Sequence, residues 1–275
     1  MGLVRSALAG LLALILLGAG CASAAPPTRS ATKVRHLPPV AAIADYQLGG
    51  SYRPAKDVRI VDRDRTSSPA RGRYNICYLN AFQTQPEENG FWRAKHRSLL
   101  LRVRGHYVQD PGWPGEYLLD TSTAAKRSAL IKVVGSWIDG CAPKGFAAVE
   151  PDNLDSWTRQ GVRGAITRAD NVAFARLLIA RAHARGLAIA QKNTAGLDGV
   201  RIGFDFAVAE ECQVYRECGA YKKFFGRHVI EIEYTDNPRS AWTTACRLRH
   251  GKISIILRDR DVVPRGARGY RYAHC

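Results

Sequence analysis

The chain has 275 residues, 46% of them hydrophobic, and carries 41 Lys and Arg against 24 Asp and Glu, a net charge of +17. One large globular domain with a sizeable core fits that length, since α/β barrels commonly run to about 250 residues. The basic excess favours solubility or attraction to anionic surfaces. The basic residues are scattered, however, and form no RRM, zinc-finger or helix-turn-helix pattern, which argues against nucleic acid as a partner.

In chain order, residues 1–24 read as a signal peptide. Arg5 supplies a positive start, and Ala7 to Gly18 is an apolar run too short for a stable membrane span. Ala22-Ser23-Ala24 fits a small-residue cleavage site, while Leu17-Gly18-Ala19-Gly20-Cys21 loosely fits a lipoprotein box that would leave a lipid anchor on Cys21. Either route predicts export, as a secreted protein or one anchored at the outer face of the membrane. Residues 25–70 are rich in Pro, Ser, Arg and Ala without a sustained period, and are expected to form a linker and a poorly ordered lead-in. The globular domain is expected over 71–275.

That domain alternates apolar runs with helical patterns. The strand candidates are Tyr74–Leu79, Leu99–Val103, Tyr117–Leu119, Phe146–Glu150, Leu187–Gln191, Phe204–Ala209, Val229–Glu233 and Ile253–Leu257. Ala124–Asp139 carries Leu130, Ile131, Val134 and Ile138 near the helical period. Asp170–Ala184 follows Thr167 as an N-cap and stops at Gly186, and Pro238–Arg249 opens with Pro near the first helical position. Eight strands alternating with helices predict an α/β fold, a single-domain (β/α)8 TIM barrel.

Export makes the cysteines disulfide candidates. With Cys21 set aside, six remain, and they allow fifteen connectivities. Cys212 and Cys218 are close enough for a local bridge, Cys246 with Cys275 would pin the C-terminus, and Cys77 with Cys141 is the remainder. No Cys/His spacing suggests zinc, and no metal or cofactor is expected.

A barrel of this kind carries its active site at the C-terminal strand ends. There the chain places Asp120, then Glu150, Asp152, Asn153 and Asp155, then Lys192, then Glu210 and Glu211, then Glu233 and Tyr234. Carboxylates gathered on one face of a basic protein suit proton transfer and stabilisation of oxocarbenium-like charge in sugar cleavage. A bland reading, in which Glu150, Glu231 and Glu233 merely pair with Lys192 and Arg258 inside the barrel mouth, stands beside it.

Ile76-Cys77-Tyr78, Trp113-Pro114-Gly115-Glu116-Tyr117-Leu118-Leu119-Asp120, Val149-Glu150-Pro151-Asp152-Asn153-Leu154-Asp155, Lys192-Asn193, Phe204 to Cys212 and Ile232-Glu233-Tyr234-Thr235 occur in this order. Together they resemble glycoside hydrolase family 114, the endo-α-1,4-polygalactosaminidases. The resemblance implies a TIM barrel, hydrolysis of α-1,4-linked galactosamine-containing polysaccharide, and catalytic carboxylates at Asp152 and Glu210. Two departures touch the sugar-binding face: Asn80-Ala81-Phe82-Gln83 where an acid is usual, and Ala209 where an Asn is usual.

One carboxyl must donate a proton to the leaving oxygen while another attacks or activates water. Asp152 is expected as nucleophile or base and Glu210 as acid, with Glu211 the rival for the second role. Tyr78, Trp113 and Tyr234 are candidates to stack on sugars, and Asp120, Glu150, Asn153, Asp155, Lys192, Glu211 and Glu233 to line the substrate site. The protein is expected to be monomeric. A cationic polymer sits uneasily with a charge of +17, so the basic residues could instead serve attachment to anionic cell-surface polymers. The alternatives are a carbohydrate-binding or cell-wall-associated barrel without turnover, and a metal-dependent nuclease or phosphodiesterase.

Overall fold

Residues 44 to 64, expected to be linker, supply the first two strands of the barrel. In the computed structural model, which describes Gly2 and residues 34–275, β1 (Ala44–Gln47) and β2 (Ile60–Asp64) pair in parallel with each other and then with β3 (Tyr74–Asn80). The signal-peptide and Cys21 readings fall outside the described residues. The two segments misread as barrel strands, Leu99–Val103 and Tyr117–Leu119, build an excursion after β3 instead. It holds a small hairpin of β4 (Arg102–Val103) and β5 (His106–Tyr107) and isolated bridges such as Leu100 to Leu119. Their apolar character has another cause: Leu101, Val108, Leu118, Val162 and Ile166 bury one another in a local cluster.

The remaining strands follow the expected alternation. β6 (Ala148–Asp152), β7 (Ala188–Lys192), β8 (Phe206–Glu210), β9 (Val229–Tyr234) and β10 (Ser254–Arg258) extend the parallel sheet in sequence order, and β11 (Tyr272–His274) adds antiparallel to β10. The eight parallel strands form a nearly closed TIM barrel. Between β10 and β1 the ring is joined by loop and side-chain bonds rather than a ladder. Tyr272 donates to the Ala44 carbonyl at 2.8 Å, and the Gly49 N–H donates to the Val262 carbonyl at 3.2 Å. Any Cβ at Gly49 would lie 2.7 Å from that carbonyl oxygen, so this seam needs glycine.

Period-two alternation sorts side chains between two layers. Ile60, Ile76, Ala148, Ala190, Phe206, Val208, Ile230, Ile232 and Ile256 fill the barrel interior. The outward set meets the helices α1 (Asn89–Lys95), α2 (Ala124–Lys144), α3 (Arg168–Ala184), α4 (Gly199–Ile202), α5 (Cys218–Phe225) and α6 (Arg239–Arg249). Leu130, Val134 and Ile138 of α2 and Phe174, Leu178 and Ala182 of α3 are buried there, each large side chain contributing about 2 kcal/mol or more. Thr167 caps α3 as expected. Its side chain accepts from the Asp170 N–H while Asp170 accepts from the Thr167 N–H, a reciprocal pair worth about 1 kcal/mol.

Three disulfides join Cys77 to Cys141, Cys212 to Cys218 and Cys246 to Cys275, with Cα separations of 6.2, 4.8 and 5.7 Å. The first ties β3 to α2, and the last holds the C-terminal residue to α6.

Candidate active site

Three neighbouring strands end in the same way. β6, β7 and β8 stop at Asp152, Lys192 and Glu210, and the next residue on each has positive φ: Asn153 at 64°, Asn193 at 51° and Glu211 at 57°. Asn adopts this left-handed turn readily; Glu does so rarely, a local cost of the kind found at functional sites. Each turn leaves the last strand residue at the rim. Parity does the rest, since Ala148 and Glu150, Ala188 and Ala190, and Phe206 and Val208 face the interior, so Asp152, Lys192 and Glu210 do too. Pro151 does not end its strand, which runs on to Asp152.

Lys192 is the hub. Its side chain is 1% exposed. Its ammonium lies 2.8 Å from Glu150 Oε1, 3.2 Å from Asp152 Oδ2 and 3.4 Å from Glu210 Oε2, and it donates to Tyr46 Oη at 2.9 Å. Burial works against its charge, but Asp152, Glu150 and Glu210 outweigh burial and hold it well above the ordinary lysine pKa. Three carboxylates around one buried ammonium leave negative charge in excess.

The two outer carboxylates are held differently. Asp152 receives the Tyr78 hydroxyl at 2.9 Å and its neighbouring Asn153 N–H at 2.6 Å, besides Lys192. Glu210 accepts from Tyr234 on Oε1 and from Asn193 Nδ2 on Oε2 at 3.0 Å, while its own N–H donates to Asn193 Oδ1 at 2.9 Å. Burial pushes Glu210 above the usual carboxylate range; the Asp152 charge adds to this, and Lys192, Tyr234 and Asn193 oppose it.

Beneath them, Tyr46 donates to Glu150 Oε1 at 2.7 Å. Asp62, on the interior face of β2, is pushed well up by burial and then by the Glu150 charge. Asp62 Oδ1 and Glu150 Oε2 are both buried without a hydrogen-bond partner. Tyr46 and Asp62 were missed in the sequence because 25–70 reads as linker. The short apolar runs Ile43-Ala44 and Ile60-Val61, the second with Val58 nearby, are the signal that would have found them.

Above the hub lies a groove of about 410 Å³. Tyr78, Trp113, Asp152, Asn153, Glu210 and Tyr234 all line it, and Trp113 is 46% exposed. Glu116, unassigned by the sequence, lines it as well. Burial pushes its carboxyl up to about 7; Asn80, donating at 2.9 Å, opposes the rise and the Asp152 charge adds to it. Lys192 and Glu150 are buried at the floor.

Four expected residues lie elsewhere. Glu233 alternates with Ile232 and Tyr234, so it faces outward from the barrel, where the Gln213 N–H donates to it at 3.0 Å. Its carboxyl is pushed up to about 7 by burial and, among smaller effects, by the charge of Glu231. Glu211 turns away from Glu210 and is gripped by Arg260 at 2.7 Å and Asn237 at 2.6 Å. Asp120 bonds Ser122 and Lys126 at the start of α2. Asp155 pairs with Arg159 at 3.1 Å and reaches the groove only through that guanidinium, which also donates to Asn153 at 3.0 Å. Arg258 pairs with neither Glu150 nor Glu233 but lies 3.9 Å from Asp45.

Comparison with known proteins narrows what such a barrel does. The chain is similar to the Aspergillus fumigatus protein Ega3, solved as a complex with galactosamine, at 24% identity and a TM-score of 0.71, covering 89% of this chain and 99% of that one. It is also similar to the glycoside hydrolase domain of PelA from Pseudomonas aeruginosa, at 15% identity and a TM-score of 0.58, covering 82% of this chain and 97% of that domain. These likenesses concern the fold. No curated protein sequence matches the chain. A model of glycoside-hydrolase family GH114 matches residues 23–275, which takes in every strand of the barrel and all the groove residues above. The chain belongs to glycoside-hydrolase family GH114.

Proposed function

We propose that this protein hydrolyses α-1,4-linked galactosamine-containing polysaccharide, with Asp152 as nucleophile and Glu210 as acid and then base. The observation that carries the reading is the bridging of both carboxylates by Lys192 at the base of an acidic groove. Two oxygens at 3.2 and 3.4 Å from one nitrogen cannot be further apart than those contacts laid end to end. For these nearest oxygens that limit falls at the bottom of the range of about 6.5–9.5 Å that leaves room for an attacking water, and favours the retaining route.

In that route Glu210, whose raised pKa favours the protonated form, donates its proton to the leaving glycosidic oxygen. Asp152 attacks the anomeric carbon as the bond breaks, giving a glycosyl ester. Glu210 then takes a proton from water, which displaces Asp152 and regenerates both groups. Lys192 holds the floor together, and Tyr78 and Tyr234 orient the two carboxylates.

Local charge supports an amino-sugar substrate. The groove is lined by Glu87, Glu116, Asp152, Glu210 and Asp261. Its two arginines are each already paired: Arg159 with Asp110 and Asp155, Arg260 with Glu211 and Asp236. An acidic cleft focuses a local field that attracts ammonium groups despite the net charge of the whole protein. Ega3, similar in fold, was solved with galactosamine, and Trp113 at the rim offers an apolar face to a sugar ring. Three disulfides suit an oxidising compartment, which supports the export read from the N-terminal segment.

Incubation with partly acetylated galactosaminogalactan tests the reading. Mass spectrometry is expected to find oligosaccharides ending in galactosamine, and early proton NMR spectra to find the α-anomer. Intact polymer would reject the activity, and initial β-anomer would reject the retaining route.

A further inference from the structure

The loops that follow β1 and β2 contain no helix. Between them, on the outside of the barrel, lies a second cavity of about 590 Å³. Its lining includes Arg53, Arg63, Arg71 and Arg73 and no carboxylate, and it shares no residue with the acidic groove. The side chains of Asp62 and Arg63 point to opposite faces of β2, one into the barrel and one out to this cavity.

Four arginines line this one cavity, Arg53 and Arg71 exposed, Arg73 half-buried and Arg63 buried, which makes it a basic surface unless something neutralises it. Among the described residues none of the four forms an ion pair with a carboxylate, although many other arginines do. Asp45, whose charge acts on Arg63, and Asp57 have other partners. Asp45 accepts from Tyr52 at 2.6 Å and Gln47 at 2.7 Å, and Asp57 lies 3.5 Å from His274. Arg63 is buried and fixed at the floor by bonds to Gln47 Oε1 at 3.0 Å, the Ser68 carbonyl at 2.7 Å and the Tyr52 carbonyl at 2.7 Å. These use Nε and one N–H on each of Nη1 and Nη2, leaving two N–H groups free. Arg73 donates to two carbonyls at 3.3 Å, but its buried Nε has no partner. The cluster is thus positive, partly rigid and short of acceptors.

We propose that this cavity binds the phosphate groups of an anionic polysaccharide. Guanidinium forks match phosphate oxygens in pairs, and several arginines on one cavity lining suit a repeated tetrahedral anion better than a single planar carboxylate. The volume falls within the range of about 300–1,000 Å³ typical of sites for larger ligands and exceeds what one phosphate fills. Tyr52 and two prolines, Pro54 and Pro69, supply apolar walls for a sugar or polyol unit between phosphates. The cavity would hold the protein on an envelope polymer while the acidic groove, on its own lining, engages a cationic one.

Calorimetric titration at about 0.15 M salt with a poly(glycerol phosphate) chain, and separately with inorganic phosphate, tests this. Arg53→Ser/Arg71→Ser/Arg73→Ser removes three of the four guanidinium groups while leaving Arg63, whose bonds hold the floor. Arg93→Ser/Arg176→Ser/Arg239→Ser removes the same charge from exposed positions on α1, α3 and α6. The cavity variant is expected to lose about tenfold or more in polymer affinity and to show a shallower salt dependence, with the control within about twofold of wild type. Inorganic phosphate is expected to compete with the polymer. Equal losses in the two variants would mean net charge alone is responsible, and unchanged binding in the cavity variant would mean the site is elsewhere; either overturns the proposal. Binding of inorganic phosphate without any binding of the polymer would overturn the polymeric source.

Discussion

Asp152 and Glu210 enter the groove from strands β6 and β8 and meet on one nitrogen, the ammonium of Lys192 on the strand between them. The two carboxylates therefore share a single buried cation. Their other partners differ: Tyr78 and a backbone N–H for Asp152, Tyr234 with Asn193 for Glu210, and in the proposed mechanism that difference separates nucleophile from acid.

Lys192→Met should be costly to both fold and function. It leaves Glu150 uncompensated at the barrel floor and removes the bridge between Asp152 and Glu210. Loss of one partner of a buried ion pair costs about 3–5 kcal/mol. Urea unfolding at pH 7 is expected to report a loss of that order. The loss should shrink as pH falls and the stranded carboxylates take up protons. A pH-independent loss would point to packing instead.

Tyr234→Phe removes the hydroxyl that donates to Glu210 Oε1. That bond holds the Glu210 pKa down, so its removal raises it further. The alkaline limb of the pH–rate profile, where the acid loses its proton, is expected to move to higher pH. The maximal rate should fall about tenfold as the carboxyl loses its orientation. A limb that stays in place, or moves to lower pH, would assign that limb to another group.

Glu233 offers a test on stability alone, because it faces away from the groove. Its folded pKa of about 7 is raised above the ordinary glutamate value, so the native state binds the extra proton and stability falls as pH rises toward and through about 7. Glu233→Gln is expected to raise the unfolding free energy at pH 8, by an amount bounded at about 3 kcal/mol and read by urea denaturation, and to change it little at pH 5. The same gain at both pH values would contradict this.

The disulfides should rank by loop length. Cys77–Cys141 closes 64 residues and Cys212–Cys218 only 6. Chain-entropy arguments give about 4 and about 2 kcal/mol. Paired Cys→Ser variants, compared by denaturant midpoint, are expected in that order.

Much of this was legible in the sequence where local pattern and tertiary role coincide. Phe146–Glu150, Leu187–Gln191, Phe204–Ala209 and Val229–Glu233 are apolar runs ending in polar residues, and each is a barrel strand within a residue or two of its expected bounds. The failures have physical causes. β1 and β2 are short and carry Asp45, Asp62 and Arg63, because the residues facing them inside and outside the barrel are polar partners; such strands look like linker. Leu99–Val103 is apolar because a loop cluster buries it, not because it pairs in the barrel. Glu233 was misplaced because strand-end position was read without parity. Tyr234 and Glu210 point inward, and their odd-numbered neighbours Glu233 and Glu211 cannot.

The central claim is that Asp152 and Glu210 together carry glycosidic hydrolysis. Its most direct test is the initial rate of reducing-end release from an α-1,4-galactosamine polymer by the wild-type protein, Asp152→Asn and Glu210→Gln, with folding of each checked by circular dichroism. The account predicts turnover by the wild type and a fall of about a hundredfold or more in each folded variant. Undiminished hydrolysis by either variant would contradict it.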